Sequence, residues 1–400
     1  MKALWFHLMP YPGLDDRFDR EAKSVWVDLD RSFFDSDVVT RSYHEYLDQL
    51  EHAAASGFDG ICVNEHHQSA YGTMPSPNLM AAALARSTDE AAIVVMGNSI
   101  ALYNPPTRVA EELAMLDHLS KGRLVAGFPV GTAMDTCYCY GIQPGQLRER
   151  FAEAHELITR AWSEPRPFAF NGRYNKLRYV NVSPRPLQDP RPPVWIPGGG
   201  SSVETWDLAV QNDYVYAYLS YYGYEQGKST MDGFWDYATS HGLDDNPYRA
   251  AFLQFITVAE TDEEARRLYK EPVEYFYQKC LKIPPGYSGA PGYQSEATYR
   301  SKLSSQVRKA ARSVGNEAPT FDDIVDRGWV ISGSPDTVRQ RLEESITDLR
   351  FGHLLCLMHI GNMSDELTKM NTKLFAEEVL PKMRNRWPDY EDKWWPQACM

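Results

Sequence analysis

Histidines follow several apolar runs of this sequence, and their spacing limits the chemistry they can do. His7 lies in the first run, His66 and His67 follow the second, and His359 ends the last. Imidazole groups transfer protons near neutral pH or bind metal ions. A metal-dependent hydrolase needs two histidines two residues apart on a strand, because adjacent side chains point to opposite sides. The pattern therefore favours proton transfer or buried hydrogen bonding, and we predict that no metal is bound.

A glycine-rich turn is a second candidate site. It lies between an apolar strand and a helix and consists of Gly198, Gly199, Gly200, Ser201 and Ser202. Free backbone N–H groups and the helix dipole favour an anionic phosphate at such a turn. An ordinary capped helix is the alternative, because Ser201 and Glu204 have the spacing of a capping box. The spacing alone leaves both interpretations open.

Signature motifs of several enzyme classes are absent from the sequence. It contains no G-x-x-x-x-G-K-[ST], no G-x-S-x-G and no G-x-G-x-x-G. The sequence therefore gives no indication of a P-loop enzyme, an α/β-hydrolase or a dinucleotide-binding fold. A second serine and glycine turn, at residues 332–335, we interpret as structural, because its proline suits the first turn of a helix.

Alternating strands and helices must position these candidate residues. We predict eight strands, each followed by a helical pattern, at residues 3–9, 60–64, 92–102, 123–128, 193–196, 214–219, 251–259 and 353–359. Their mostly continuous apolar character is typical of parallel strands that are buried on both faces. The predicted fold class is α/β, a (β/α)8 TIM barrel with loop insertions, whose active site lies at the carboxyl ends of the strands.

The chain is longer than such a barrel requires. It has 400 residues, whereas a barrel of this kind needs about 250. Four segments lack the strand and helix pattern, at about residues 10–39, 132–146, 164–191 and 282–326. We predict a single domain over residues 1–400, in which these segments are insertions between barrel elements.

Composition and charge exclude several kinds of partner. The 41 Lys and Arg residues against 54 Asp and Glu give a net charge of −13, which repels nucleic acid and anionic lipid. No apolar stretch is long enough to span a membrane, and the first residues lack a signal-peptide pattern. Six cysteines without a C-x-x-C pair indicate reduced thiols. We therefore expect a cytoplasmic protein.

Seven segments of the chain share their order and spacing with one known family. They are 57–67 (GFDGICVNEHH), 97–100 (GNSI), 119–124 (LSKGRL), 127–131 (GFPVG), 192–201 (PPVWIPGGGS), 331–338 (ISGSPDTV) and 374–381 (LFAEEVLP). Together they resemble the bacterial-luciferase-like flavin-dependent monooxygenases over most of the chain. Pro129 stands where luciferase has its reactive cysteine, so light emission is not expected.

The resemblance implies an oxygenase component that binds reduced FMN delivered by a separate flavin reductase. It uses O2, through a flavin peroxide, to oxidise a small organic molecule. The expected phosphate site is the glycine-rich turn with an arginine from the fourth helix, namely Gly198, Gly199, Gly200, Ser201, Ser202 and Arg148 or Arg150. The expected border of the isoalloxazine ring, where the family often has a non-prolyl cis peptide bond, is Glu65, Asn98, Ser99 and Gly131.

Oxygen chemistry on a reduced flavin requires an apolar pocket that excludes water and one group that exchanges a proton. We predict His66 as that catalytic group, because imidazole suits proton transfer. The predicted walls of the substrate pocket are His7, Trp195, Tyr218 and His359, for each of which core packing is the alternative. This lining favours a medium-sized, largely apolar or aromatic substrate.

Several alternatives remain open at the level of sequence. The reaction is a hydroxylation, a Baeyer–Villiger insertion or a cleavage of a carbon–heteroatom bond. The nearest rival is a deazaflavin-dependent oxidoreductase on the same fold, which transfers hydride without O2. The second rival is a non-catalytic flavin-binding relative. The resemblance also favours a homodimer.

Overall fold

Eight parallel strands form a closed barrel in the computed structural model of the chain, which describes residues 1–200, 202–284, 292–296, 298 and 318–399, with only the backbone for 133–135. The barrel strands are β1 (Lys2–Phe6), β2 (Gly60–Val63), β3 (Ala92–Val95), β4 (Leu124–Gly127), β7 (Val194–Gly198), β8 (Val215–Tyr218), β9 (Ala250–Val258) and β11 (His353–Leu357). Pairing of β8 with β9 and of β11 with β1 closes the ring. The predicted (β/α)8 barrel and all eight of its strands are confirmed.

Helices surround the barrel wall. They are α1 (Arg17–Glu21), α2 (Ser36–Ala55), α3 (Pro77–Ser87), α4 (Thr107–Leu119), α5 (Leu147–Ser163), α6 (Val203–Gln211), α7 (Gly223–Ser240), α8 (Asp262–Tyr275), α9 (Phe321–Asp326), α10 (Pro335–Leu349), α11 (Asp365–Leu374) and α12 (Leu380–Met383). Ser334 caps α10 by accepting from the N–H of Thr337, which confirms the structural interpretation of that turn. In the parts of the chain described above, no helix combines the length and apolar character needed to cross a membrane.

Three further strands lie outside the predicted set. β5 (Phe168–Asn171) and β6 (Lys176–Val180) form an antiparallel hairpin within the insertion at 164–191. β10 (Val330–Gly333) pairs with the second half of β9. The hairpin has mostly polar or partly exposed residues, and β10 is only four residues long, so neither gives a clear apolar run.

Two element boundaries differ from prediction for local reasons. The third strand was predicted to reach residue 102, but β3 ends at Val95 and the chain turns at a cis peptide bond between Met96 and Gly97. Helix α2 begins at Ser36, inside the predicted insertion at 10–39, because the Asp35 carboxylate accepts from the N–H groups of the first turn.

Side chains of the barrel strands divide between two apolar cores. In β1, Leu4 and Phe6 point into the barrel interior, whereas Ala3 and Trp5 belong to the layer between the barrel and its helices. The Trp5 Nε1 donates to Thr372 Oγ1 on α11 across that layer, at 3.0 Å. Alternation along each strand therefore decides whether a residue can reach the inside of the barrel.

Aromatic residues close the end of the barrel where the strands begin. The ring of Trp395 stacks on His353, the first residue of β11, with centroids 5.7 Å apart. A side chain at Gly60, the first residue of β2, would lie 3.2 Å from the Trp395 ring. His353 Nε2 is hydrogen-bonded to Asp392 at 2.9 Å. A site for a ligand must therefore lie at the opposite end.

The insertion at 10–39 is fixed against the loops at that opposite end. The Tyr275 hydroxyl accepts from the N–H of Leu14 and donates to the carbonyl of Tyr11, both at 3.1 Å. The N–H of Val25 donates to the carbonyl of Lys282 at 3.0 Å. These bonds join the insertion to the segment that follows α8.

Candidate functional site

A buried carboxylate lies where β2 and β3 end. Glu65 Oε1 lies 2.7 Å from His67 Nε2 and accepts from the Tyr103 hydroxyl at 3.2 Å, while Glu65 Oε2 accepts from the N–H of Ser99 at 2.8 Å. Its side chain is 1% exposed, so these donors replace the water that the carboxylate loses. Burial and the nearby Glu65 charge raise the pKa of Tyr103, which keeps its hydroxyl protonated as a donor.

A close backbone contact holds the end of β3 beside the end of β4. The N–H of Asn98 donates to the carbonyl of Gly127 at 3.0 Å. A Cβ on Gly97 would lie 1.9 Å from that carbonyl oxygen, so only glycine fits. The non-prolyl cis peptide bond expected near Asn98 and Ser99 lies directly before them, between Met96 and Gly97.

His66 lies beside an aromatic group rather than on the carboxylate that its neighbour His67 contacts. The ring of Tyr71 meets His66 edge to face, with centroids 4.6 Å apart. Tyr71 also meets Trp26 of the insertion at 5.5 Å, and its hydroxyl is hydrogen-bonded to that of Tyr221. Three loops at the carboxyl ends of the strands thus meet around one buried tyrosine.

The glycine-rich turn follows β7 and leads into α6. The helix is capped by Ser202, whose Oγ accepts from the N–H of Thr205, so Ser202 rather than Ser201 has the capping role. Ser201 itself lies outside the described residues. Side chains placed on Gly199 and Gly200 would meet almost no other atoms, which leaves open space at the turn. Arg148 Nη2 on α5 donates to Ser202 Oγ at 3.4 Å.

A row of contacts joins this turn to the carboxylate. Tyr293, in the insertion at 282–326, donates its hydroxyl to the carbonyl of Gly131. Burial raises the pKa of Tyr293 to about 12, although the positive charge of Arg148 opposes the rise. A side chain on Gly131 would lie 3.4 Å from Ser99 Oγ. Tyr293 therefore lies near both the predicted ring residue Gly131 and the predicted phosphate residue Arg148.

Arg150 takes a different direction from Arg148. Its guanidinium lies over the ring of Tyr174, 4.4 Å from the centroid, and Nη2 approaches Gln146 Oε1 at 3.4 Å. Of the two arginines that the sequence proposed for the phosphate, the structure places Arg148 against the turn.

Two of the predicted pocket histidines lie outside the barrel. The rings of His7 and His359 are 4.9 Å apart in the layer beneath the helices, where His7 Nε2 is bonded to Gln49 on α2 and His359 Nδ1 to Thr368 on α11. Burial lowers the pKa of both, that of His359 to about 4. The structure does not bring them to the predicted pocket, because alternation turns their side chains towards the helices.

The predicted pocket aromatics are also displaced. Trp195 is the second residue of β7, and its ring contacts His353 and Trp395 at the closed end of the barrel. Tyr218 ends β8 but faces α7, where a side chain on Gly227 would lie 3.1 Å from its ring. Neither side chain is brought to the open end.

The described residues contain no group of three or more His, Cys, Asp or Glu side chains placed to hold a metal ion. The buried polar atoms without a partner among the described residues include Asn98 Oδ1 near the carboxylate and Arg148 Nε near the turn. Each belongs to a residue predicted to bind the cofactor, and each suits a polar ligand.

The sequence matches the model of a family described as luciferase-like monooxygenase over residues 25–351. The chain belongs to the luciferase-like monooxygenase family. The protein is accordingly an enzyme of the flavin-dependent monooxygenase type.

Relatives match this luciferase-like monooxygenase over nearly its full length. The 4-hydroxyprotoasukamycin monooxygenase of Streptomyces nodosus subsp. asukaensis is 25% identical over 90% of this chain and 87% of its own. The oxygenating constituent of 3,6-diketocamphane monooxygenase of Pseudomonas putida, a type II Baeyer–Villiger monooxygenase in complex with FMN, has the same fold with a TM-score of 0.73 at 20% identity, over 96% of this chain and 98% of that chain. An F420-dependent secondary alcohol dehydrogenase in complex with an F420–acetone adduct has a TM-score of 0.62 at 17% identity, over 95% of this chain and 98% of that one.

Sequence reasoning missed several residues of this luciferase-like monooxygenase site. The partners of Glu65 include Tyr103, while His67 is approached by the Tyr140 hydroxyl at 3.3 Å. Tyr71 was not singled out at all. The spacing of residues 137–140 gives no sign of the histidine that Tyr140 contacts. The signal that could have indicated these residues is the presence of tyrosines a few positions after the strand ends.

Gly97 has no room for a side chain. Replacing it by alanine drives a Cβ into the Gly127 carbonyl, so we expect Gly97→Ala to lower the free energy of unfolding by about 3 kcal/mol, measured by urea denaturation. Gly145→Ala is the matched control, because a side chain there meets no atom within 4 Å. Equal stability of the two variants would contradict the close contact.

Proposed function

We propose that the protein is the oxygenase component of a two-component FMN-dependent monooxygenase. In this scheme a separate flavin reductase supplies reduced FMN, and O2 is used to oxidise a medium-sized apolar or aromatic substrate. The observation that carries the proposal is the series of neighbouring residues from the Glu65 network, through Gly131 and Tyr293, to Arg148 and the glycine-rich turn. The P. putida relative, named an oxygenating constituent and solved with FMN, supports it.

The proposed phosphate site is the turn at 198–202 together with Arg148. Backbone N–H groups before α6 and the Arg148 guanidinium suit a dianion, and Ser202 offers a hydroxyl beside them. The proposed ring site is bordered by Glu65, Asn98, Ser99 and Gly131. Reduced FMN, when bound, supplies the electrons that activate O2.

We assign His66 the role of exchanging a proton with the reacting substrate. Its ring is half-buried and held by Tyr71, while Glu65 is occupied by other donors and keeps the neighbouring backbone in place. The adjoining rings of Tyr71, Tyr221, Phe255 and Phe276 form an apolar lining that excludes water. These aromatic residues take over the pocket role that the sequence gave to Trp195 and Tyr218.

The lining also supports the substrate class. An apolar, aromatic wall recognises its ligand by shape and buried area rather than by charge. The relatives named for a camphane diketone and for protoasukamycin support an organic substrate with a large apolar part. All six cysteines are free thiols, which supports the expectation of a reducing, cytoplasmic compartment.

The choice of cofactor is the direct test of this function. We expect the purified protein to bind reduced FMN and to consume O2 with formation of an oxygenated product, measured by oxygen electrode and mass spectrometry over a panel of terpenoid and aromatic compounds. The F420-dependent structural neighbour defines the rival. Tight binding of reduced deazaflavin without O2 uptake would establish the rival, and FMN binding without any product would indicate a non-catalytic relative.

A second test addresses His66. Replacing it by alanine should lower the product formed per reduced FMN by about tenfold and raise release of hydrogen peroxide, because the proton-exchanging group is lost. Flavin affinity should change little, since the phosphate turn is untouched. His241→Ala, an exposed histidine at the end of α7, is the control. Unchanged coupling in His66→Ala would leave that residue with a packing role only.

We also propose a homodimer that packs through α3 and α4. These neighbouring helices expose Leu79, 72% accessible, and Met115, 54% accessible, on their outer faces. Ala83 lies one turn after Leu79 on α3 and is likewise exposed, so exposed apolar side chains lie on the outer faces of both helices. Large apolar side chains exposed on neighbouring helices are typical of interaction sites.

Charge placed on that face should separate the subunits. Leu79→Glu and Met115→Glu should each shift the mass measured by light scattering from dimer to monomer, because an unpaired carboxylate would be buried at the interface. Met370→Glu, on α11 and 42% exposed, is the control and should remain dimeric. A monomeric wild-type protein, or dimeric variants, would contradict the assignment.

A further inference from the structure

A carboxylate lies at the proposed phosphate turn, where it carries the same sign of charge as the phosphate. Glu204 is in the first turn of α6, and its Oε2 accepts from Ser202 Oγ at 3.1 Å and lies 4.0 Å from Arg148 Nη1. Ser202 and Arg148 are the two side chains proposed to hold the phosphate. Glu204 therefore occupies the partners that the phosphate needs.

We propose that the Glu204 carboxylate competes with the FMN phosphate for Arg148 and Ser202, and so keeps flavin binding weak enough for exchange with the reductase. This inference rests on the proposed function. It assigns to Glu204 a role in setting cofactor affinity, in addition to the favourable effect of an acidic residue in the first turn of a helix.

The contacts of Glu204 keep it charged and in place. Burial alone would raise the pKa of this carboxyl, but hydrogen bonds from Thr298 and Ser202 and the charge of Arg148 lower it overall. Thr298 Oγ1, in the insertion at 282–326, donates to Glu204 Oε2 at 2.7 Å. The carboxylate is thus ionised at neutral pH, and Thr298 holds it beside the turn.

Competition follows from the number of charges at the turn. A phosphate dianion that reaches Arg148 must either displace Glu204 or lie beside it, and like charges at such distances repel. Both side chains are about one-third exposed or less, so water screens this repulsion only partly. Riboflavin has no phosphate, and its binding should be indifferent to Glu204.

Weak phosphate binding suits an enzyme that exchanges its flavin with a reductase. The cofactor must enter reduced and leave oxidised in every cycle, because reduction takes place on another protein. A turn without the carboxylate would hold oxidised FMN longer and slow its return. Glu204 would then lower the affinity for FMN and raise the rate at which oxidised FMN is released.

The experiment compares FMN with riboflavin on the full-length protein by quenching of flavin fluorescence. Glu204→Gln should tighten FMN binding by about fivefold or more and change riboflavin binding by less than about twofold, because only the charge is removed. Glu204→Asp keeps the charge and should bind FMN as the wild type does. Glu164→Gln, which removes a similarly exposed carboxylate paired with Arg160, is the control. Thermal melting checks that each variant is folded, and Glu204→Ala provides a second uncharged variant.

The outcomes distinguish failure of the Glu204 competition from failure of the proposed function. Competition by Glu204 is supported if FMN binding tightens in Glu204→Gln and Glu204→Ala but not in Glu204→Asp or Glu164→Gln. If wild-type protein prefers FMN over riboflavin but Glu204→Gln and Glu204→Ala leave that preference unchanged or reduce it, the competition is overturned and the proposed function stands. If wild-type protein shows no preference for FMN, both the phosphate site and the inference are overturned.

Discussion

The buried carboxylate of Glu65 constrains the whole open end of the barrel. A carboxylate removed from water must be met by donors, and here they come from three places, the His67 ring, the Tyr103 hydroxyl and the Ser99 backbone. Ser99 can donate only if the chain turns sharply after β3, and that turn requires the glycine-to-glycine contact between β3 and β4. One charge therefore fixes the geometry of two neighbouring strand ends, and with them the floor on which the flavin ring is proposed to lie.

Polar and apolar functions are separated within the site. Charged and hydroxyl groups follow one another from Glu65 through Gly131 to the turn before α6, whereas His66 contacts the aromatic group around Tyr71. His66 contacts Tyr71, and its proposed role is to exchange a proton with an apolar substrate there. Preorganisation by surrounding rings and hydrogen bonds removes the need to order these groups during the reaction.

Sequence patterns predicted the barrel well because each buried parallel strand is a short apolar run between helices. They also placed Glu65, His66, Asn98, Ser99 and the glycines of the turn after β7 at strand ends, where the structure has them. They did not show where Tyr218, His7 and His359 lie, since both faces of a barrel strand are apolar and the sequence does not tell the interior from the helix layer. Trp195 lies inside the barrel, but at its closed end, because it is only the second residue of β7. The meeting of Tyr71 with Tyr221 joins residues 150 positions apart, a contact that no local pattern encodes.

The aromatic closure at the opposite end bears on how the chain reaches this fold. Trp395 packs on Gly60 and His353, and Trp195 Nε1 approaches the carbonyl of Trp394 at 3.4 Å, so residues from early, middle and late sequence meet in one cluster. Pairing of β1 with β11 adds contacts across some 350 positions. Such distant contacts carry a large loop-closure entropy before they contribute any stability. The barrel is therefore expected to fold slowly. Its closing strands and this cluster are expected to form together in the last cooperative step.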